Sequence, residues 1–205
     1  MSVTSASFTT FPNSQLCIWL VAMLCGCSGQ LPPADIPPAQ PGESMAVVFD
    51  IDGTLTPKVH TMSTAREHAA EALNILADKG YWIIYLSARI RSHSAGIPGW
   101  LQANGFPDGS VHAAQTADDR KQPAVFKTTV LNACKDQGWT IEYAYGDSST
   151  DFEAYAAVGV PKERVFALQR EGDTLCQPGE WSVCLGGWTE HLDHLRHSVL
   201  PASAH

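Results

Sequence analysis

Two carboxylates stand two residues apart directly after an apolar run near residue 50. The run from Val47 to Phe49 ends in Asp50, and Asp52 and Gly53 follow it. Side chains alternate along a strand, so Asp50 and Asp52 can point to the same face, and the glycine allows a sharp turn behind them. Such a pair could supply a nucleophile and a proton donor to a phosphoryl group. The ordinary alternative is an acidic strand-to-loop junction without a chemical role.

Three further polar signals follow this pair along the chain. Ser87 ends a second apolar run, Lys127 lies in a stretch with helical periodicity, and an acidic loop runs from Gly146 through Asp147 to Asp151. In an open parallel sheet, functional groups gather beyond the carboxyl ends of the strands. We therefore expect these side chains to meet at one edge of a sheet, although a serine or a lysine taken singly is usually a solvated surface residue.

The elements that must position these residues alternate between short apolar runs and helical patterns. The runs predict strands at Ala46–Phe49, Tyr81–Leu86, Ser110–His112, Ile141–Tyr145 and Arg164–Ala167. The periodicity predicts helices at Thr64–Lys79, Gly99–Ala103, Pro123–Asp136, Thr150–Ala157 and Thr189–Leu200, the first with Thr64 and Glu67 spaced as a capping box. This order predicts an α/β fold, a Rossmann-like three-layer αβα sandwich around a parallel sheet of about five strands.

The composition of the amino-terminal residues indicates a targeting signal rather than a folded domain. Leu16 to Gly26 is apolar but shorter than the ~20 residues of a bilayer span, which is typical of the hydrophobic region of a secretory signal. Leu24 to Ser28 resembles a bacterial lipobox, with Cys27 as the residue to be lipidated. No Lys or Arg precedes Lys58, so the usual positive flank is missing. The alternative is a buried helix with incidental cysteines.

Five prolines between residues 28 and 44 predict an extended, semi-rigid linker. We therefore expect a signal and lipobox region over residues 1–27, a Pro-rich linker over 28–44 and one catalytic domain over 45–205. Such a protein would be exported and held by a lipid anchor at a bacterial membrane, in the periplasm or at the outer membrane.

The net charge limits the partners that this chain could bind. The formal net charge of −8 and the absence of a Lys/Arg-rich run argue against a nucleic-acid partner, and an anionic substrate would need a metal ion or placed cations.

Cys176 and Cys184 flank a Pro-Gly turn and could form a disulfide in an exported protein, or remain two thiols on a surface loop. His191, His194 and His197 recur every third residue, which predicts a solvated helix face rather than a metal site.

Together these signals resemble the four motifs of the haloacid dehalogenase-like (HAD) superfamily. The matching segments, in order over roughly residues 45–170, are the DxDGT of Asp50 to Thr54, Ser87, Lys127 and the GDxxxD of Gly146 to Asp151. Three further segments look like the lipin-type phosphatidate phosphatase branch: Tyr85 to Arg89, Pro123 to Lys127, and Asp151 to Tyr155 with Val158 to Pro161. The chain departs from that branch at Asp147, where asparagine is usual.

The resemblance implies a role for each residue of the site. Asp50, the backbone carbonyl of Asp52 and Asp147 would hold Mg²⁺. Asp50 would attack phosphorus to form an aspartyl-phosphate, and Asp52 would give a proton to the leaving alkoxide and later take one from water.

The remaining motif residues would act around the phosphoryl group. Ser87 and Thr54 would donate hydrogen bonds to it, Lys127 would balance its charge, and Asp151 would orient a metal-bound water or Lys127. For Arg89, a phosphate contact and an ion pair that locks its loop are both open.

No insertion is long enough for a cap domain. Residues 55–86 and 90–126 are filled by predicted helices and strands, which leaves no room for a separate domain, so we expect an open site. An open site admits large substrates. The combined hypothesis is a Mg²⁺-dependent phosphomonoester hydrolase acting on phosphatidate or another phospholipid monoester. The alternatives are a broad periplasmic acid phosphatase or nucleotidase, and a non-catalytic lipin-like module that binds phosphatidate.

Overall fold

Six parallel strands form a single sheet in a computed structural model that describes residues 36–59, 64–89 and 94–205. The strands are β1 (Met45–Asp50), β2 (Trp82–Ser87), β3 (Ser110–Ala113), β4 (Thr140–Gly146), β5 (Val165–Leu168) and β6 (Val183–Leu185). Their order across the sheet is β3-β2-β1-β4-β5-β6, which places β1 between β2 and β4. The five predicted strands are confirmed, and β6 is a sixth strand at the edge.

Helices cover both faces of this sheet. The described helices are α1 (Ala69–Asp78), α2 (Ile97–Ala103), α3 (Ala117–Lys121), α4 (Pro123–Asp136), α5 (Ser149–Ala157) and α6 (Leu192–His197). Alternate residues of β1 enter two different cores: Val47 and Phe49 pack with α1, α2 and α6, whereas Ala46 and Val48 pack with α4 and α5. The three-layer αβα prediction is therefore confirmed, and β1 and β2 are apolar up to their last residue because both of their faces are buried.

The register of the sheet brings the polar strand ends together. Asp50 pairs with Leu86, and Ile51 N continues the ladder with a 3.1 Å hydrogen bond to Leu86 O. All strands run in the same direction, so Asp50, Ser87 and Gly146 end at one edge. This edge carries the candidate site.

The first predicted helix starts later than expected. Helix α1 begins at Ala69, and His68 stands before it with a φ of 58° and no side-chain cap. The capping box expected from Thr64 and Glu67 does not start a helix, because the chain at Arg66 is held by the turn that follows β1: Arg66 N donates to Leu55 O at 2.8 Å.

The last predicted helix is divided. Thr189–His191 is a 3-10 turn, α6 ends at His197, and the chain leaves the helix before Pro201. This turn directs His191 inward, so the prediction of a solvated face is wrong for that residue: it is 4% exposed, and its Nε2 lies 3.0 Å from Tyr145 Oη. Burial lowers the pKa of His191 to about 4, so it is neutral at pH 7.

The described part of the proline-rich segment lies against the domain. Trp139 Nε1 donates to Pro37 O at 2.7 Å, and Ala39 N donates to Gln137 O at 2.9 Å. The segment thus contacts the domain from Ile36 onward. The predicted signal region with Cys27, and linker residues 28–35, lie outside the described residues. Within residues 36–59, 64–89 and 94–205, no helix is long and apolar enough to span a membrane.

The two cysteines near the end of the chain are bonded. Cys176 and Cys184 form a disulfide with a Cα–Cα distance of 5.8 Å. It joins the segment between β5 and β6 to the edge strand β6 itself. Cys134 is a free thiol buried in α4.

Candidate active site

The predicted nucleophile lies at the end of β1 between a lysine and a hydroxyl. Asp50 is 3% exposed, and its Oδ1 accepts a hydrogen bond from Lys127 Nζ at 2.5 Å. Its Oδ2 accepts from Thr54 Oγ1 at 3.2 Å. Lys127 reaches this point from α4 and also donates to Asp151 Oδ1. The structure therefore brings together four of the residues predicted from the sequence.

The acidic loop after β4 is ordered by a capping box at the start of α5. Ser148 is the N-cap residue, and Asp151 Oδ2 accepts from Ser148 N at 3.0 Å and from Ser148 Oγ at 2.7 Å. Asp147 N donates to the same oxygen at 3.2 Å. Asp151 is fully buried, so one of its oxygens fixes the loop and the other holds Lys127.

Three buried carboxylates converge at this point. Oxygens of Asp50, Asp147 and Asp151 all lie within 4.8 Å of one another. Burial raises the pKa of Asp50 well above its usual value, with Asp151 adding to the rise and Lys127 opposing it. Burial, again with Asp151, raises the pKa of Asp147 to about 6.

This donor set suits a hard divalent cation. Carboxylate oxygens are the ligands that such ions prefer, and a cation would offset the burial and the mutual repulsion that raise both pKa values. Asp50 and Asp147 stand together as the predicted ligand pair. Asp151 is the third carboxylate, but its oxygens already bind Lys127 and Ser148, so it supports the site from behind.

The predicted proton donor is held by the last residue of β2 and by an arginine two residues beyond it. Asp52 Oδ2 accepts from Ser87 Oγ at 2.9 Å, and Asp52 Oδ1 accepts from Arg89 Nε at 2.5 Å. The sequence left two roles open for Arg89, and the structure shows the ion pair. Ser87 has a single hydroxyl hydrogen and gives it to Asp52, so a hydrogen bond from Ser87 to a phosphoryl oxygen requires its hydroxyl to rotate.

One charged contact of the site was not predicted. Arg170 follows β5, and its Nε donates to Asp147 Oδ2 at 2.5 Å with the side chain 32% exposed. The sequence did carry a signal, because β5 ends at the same edge as β1 and β4 and residues just beyond parallel strands tend to be functional. The cluster thus has four carboxylates facing three cations: Asp50, Asp52, Asp147 and Asp151 with Lys127, Arg89 and Arg170.

A cavity of about 520 Å³ opens over the cluster. Its rim adds another cation, Arg120, and apolar side chains from Val59, Ala88 and Pro123. Among the residues that the structure describes, no separate domain covers this cavity, as expected from the sequence.

The chain is similar to one protein family and to several known proteins. A family model described as "PITM 1-3, LNS2 domain" matches residues 47–169. Human membrane-associated phosphatidylinositol transfer protein 3 is 29% identical over 160 residues, which cover 74% of this chain and 16% of that protein. Phosphatidic acid phosphohydrolase 1 of Saccharomyces cerevisiae is 25% identical over 188 residues, which cover 75% of this chain and 21% of that protein. The chain thus spans about a fifth or less of the length of these relatives.

A solved structure shares the architecture. A putative HAD-like phosphatase from Mesorhizobium loti has a TM-score of 0.54 and 18% sequence identity, covering 78% of this chain and 86% of that one. At this identity the likeness concerns the fold alone. The family match, in contrast, spans more than half of the chain and includes every carboxylate of the cluster. The chain therefore belongs to the LNS2 domain family of the lipin and PITM proteins, which is built on the HAD-like fold.

Proposed function

We propose that this domain hydrolyses phosphate monoesters in the presence of Mg²⁺ through an aspartyl-phosphate on Asp50. One observation carries the proposal: the carboxylate of Asp50 lies between Lys127 Nζ and Thr54 Oγ1, at the floor of an open cavity and within 4.8 Å of two further carboxylates. A buried acidic cluster with one lysine fits a site that binds a cation and a phosphate together.

The ion would neutralise the phosphoryl group and orient it. Asp50, Asp147 and the main-chain carbonyl of Asp52 are the groups that would hold it. Lys127 supplies a fixed positive charge: burial lowers the pKa of Lys127, but Asp151 and Asp50 outweigh burial and keep it above the usual value. The lysine therefore remains protonated through the reaction and stabilises the charge that develops in the transition state.

Two proton movements involve Asp52. As an oxygen of Asp50 bonds to phosphorus and the ester oxygen departs, Asp52 gives a proton to the leaving alkoxide. Water then attacks the phosphorus of the aspartyl-phosphate, Asp52 takes its proton, and Asp50 is released with inorganic phosphate. General acid and base catalysis of this kind contributes about 10²- to 10⁴-fold. Asp52 enters the first step as the carboxylic acid and leaves it as the carboxylate, the form that Ser87 and Arg89 hold by hydrogen bonds for the second step.

We propose a phospholipid monoester as the substrate, with phosphatidate first. An open cavity with arginines and apolar side chains at its rim fits a phosphate carried on a lipid surface. The yeast relative is by its name a phosphatidic acid phosphohydrolase. An exported protein anchored through a lipid on Cys27 would be held beside such a surface, which motivates the proposed location at a bacterial periplasmic or outer membrane. Small phosphomonoesters remain the competing substrates of an acid phosphatase or nucleotidase.

A non-catalytic module that binds phosphatidate is the second candidate. It is favoured by the family model, which describes domains of phosphatidylinositol transfer proteins, and by the full engagement of Asp52 with Ser87 and Arg89. The presence of both Asp50 and Asp52 favours the enzyme, because a binding module needs neither a nucleophile nor its acid partner.

Phosphate release separates the candidates. The full-length chain in detergent with Mg²⁺ should hydrolyse a generic aryl phosphate, and Asp50→Asn should lower the rate by at least about 10³-fold because it removes the nucleophile. The variant should melt no lower than the parent. Asp193→Asn is the matched control, since Asp193 is an exposed acid on α6 with a side chain that is 88% exposed.

A substrate panel then ranks the enzymatic options. Phosphatidate vesicles, nucleoside monophosphates and sugar phosphates should be compared at equal phosphate concentration, with phosphatidate expected to have the highest kcat/KM. Binding to phosphatidate vesicles without turnover of any monoester would instead identify the non-catalytic module.

A further inference from the structure

Arg66 binds main-chain carbonyls of two loops at the site. Its Nη2 donates to Gly53 O at 2.6 Å and to Gln169 O at 2.5 Å, and its Nε donates to Thr56 O at 3.2 Å. Gly53 and Thr56 belong to the turn after β1, which we call the nucleophile turn (residues 51–56). Gln169 follows β5, at the far side of the site.

Each of the two loops that Arg66 binds carries a charged residue of the cluster. Gly53 directly follows Asp52, and Gln169 directly precedes Arg170, which pairs with Asp147. Fixing the carbonyl of Gly53 fixes the peptide next to Asp52, and fixing the carbonyl of Gln169 fixes the start of the loop that carries Arg170. One guanidinium group thus joins the two loops, beside a main-chain hydrogen bond from Glu171 N to Pro57 O at 3.3 Å.

We propose that Arg66 is a positioning residue for the reaction: it ties the nucleophile turn to the loop after β5 and so holds Asp52 and Arg170 in place around Asp50 and Asp147. This inference rests on the proposed phosphatase function. Arg66 touches neither of the residues that would react, so its effect passes through the two loops.

The chemistry of the contact requires arginine. Guanidinium is planar and carries five N–H donors in a fixed fork, which lets one side chain serve three carbonyls from two directions. A lysine has a single nitrogen and cannot span the same acceptors. Burial lowers the pKa of Arg66, with Asp147 and Glu171 opposing, but an arginine stays charged and so also offsets the excess of carboxylates.

The leaving group distinguishes positioning from a general loss of structure. Proton donation by Asp52 matters most when the departing alkoxide is a strong base, so Arg66→Ala should lower kcat/KM by about 10- to 100-fold on an alkyl phosphate. We use kcat/KM because it reports only the steps up to departure of the leaving group, whereas kcat also includes the later hydrolysis, in which Asp52 acts on every substrate. On 2,4-dinitrophenyl phosphate, whose phenolate leaves without a proton, the loss should stay within about threefold. Arg66→Lys should behave like Arg66→Ala, and added guanidinium ion should partly restore Arg66→Ala. Equal losses on both substrates would overturn the proposal.

Hydrogen exchange provides a second measurement that needs no turnover. Amides of residues 51–56 and 169–173 should exchange faster together in Arg66→Ala, while those of β1 and β4 stay protected. Arg196→Ala is the matched control, since Arg196 is 41% exposed, pairs with Glu71 of α1 and contacts neither loop. Faster exchange confined to residues 64–68 would overturn the proposal. If the parent protein turns over no monoester, the proposed function fails, and the exchange result alone decides whether Arg66 joins the loops.

Discussion

Two independent constraints act on Gly53. Its φ is +85°, a conformation that residues with a Cβ rarely adopt. A Cβ at this position would overlap Asp147 Oδ2 and lie 2.7 Å from Asp147 Cγ. The glycine thus lets the nucleophile turn touch the carboxylate of the loop after β4. The sequence predicted the turn, whereas this contact depends on a residue almost one hundred positions away.

The two constraints can be separated by comparing two alanine variants. Gly159 has nearly the same φ, +83°, with nothing within 4 Å of a Cβ. Gly159→Ala should lower the free energy of unfolding by about 1 kcal/mol from backbone strain alone and leave phosphatase activity unchanged. Gly53→Ala carries the same strain and also displaces Asp147, so it should weaken Mg²⁺ binding and lower activity by at least about tenfold. Calorimetric Mg²⁺ titration and urea unfolding measure both effects; equal behaviour of the two variants would contradict the Asp147 contact.

Among the elements, the segment between β5 and β6 links the edge of the sheet to the site. Arg170 near its start pairs with Asp147, Ser149 Oγ of α5 donates to Pro178 O at 2.7 Å, and the disulfide joins Cys176 to Cys184. Strand β6 has only three residues, so few backbone hydrogen bonds hold it. We therefore expect the disulfide to contribute strongly to the position of this segment.

Removing the disulfide should loosen the segment without unfolding the sheet. A Cys176→Ser/Cys184→Ser variant should lose about 2 to 3 kcal/mol of unfolding free energy, the entropy expected for a short closed loop. Treating the parent with a reductant should give the same loss, whereas the variant should not respond to reductant. Urea unfolding in both conditions checks this. Because Cys134 is buried in α4 and present in both proteins, a reductant effect that persists in the variant would assign the change to something other than this bond.

The elements that the sequence predicted are those whose signals are local. Strands β1 and β2 are apolar runs that end in Asp50 and Ser87, and β4 leads directly into Asp147; the parallel sheet carries all three polar residues to the same edge. Strand β6 lacks such a run, and its place depends on the disulfide and on β5. The contacts of Arg66 and Arg170 join loops far apart in sequence, and the main-chain carbonyls that Arg66 binds leave no pattern in the side chains.

At the scale of the whole molecule, the buried charges of the site make the unfolding free energy depend on pH. Burial raises the pKa of Asp147 from 3.8 to about 6, so without a metal ion the folded protein binds a proton there more tightly than the unfolded chain. The stabilisation is present at low pH and is lost as the pH rises through about 6. Buried His112 and His191 act in the opposite direction, since burial lowers the pKa of each to about 4. Their contribution is present above pH 6.5 and is lost as the pH falls.

The contributions of Asp147, His112 and His191 to the unfolding free energy change over overlapping pH ranges. The effect of Asp147 should therefore be measured as the difference between Asp147→Asn and the parent. In EDTA, the unfolding free energy of Asp147→Asn minus that of the parent should grow by on the order of 2 kcal/mol between pH 4.5 and pH 7, since the variant carries no charge to bury. The histidine contributions are common to both proteins and cancel. At pH 7, Mg²⁺ at one hundred times its dissociation constant should stabilise the parent by about 2 to 3 kcal/mol. This stabilisation should reduce the difference in unfolding free energy between Asp147→Asn and the parent. Urea unfolding as a function of pH measures these quantities. If the difference in unfolding free energy between Asp147→Asn and the parent does not change over this pH range, folding does not destabilise the ionised carboxylate of Asp147. That result would remove the electrostatic reason for a cation at this position.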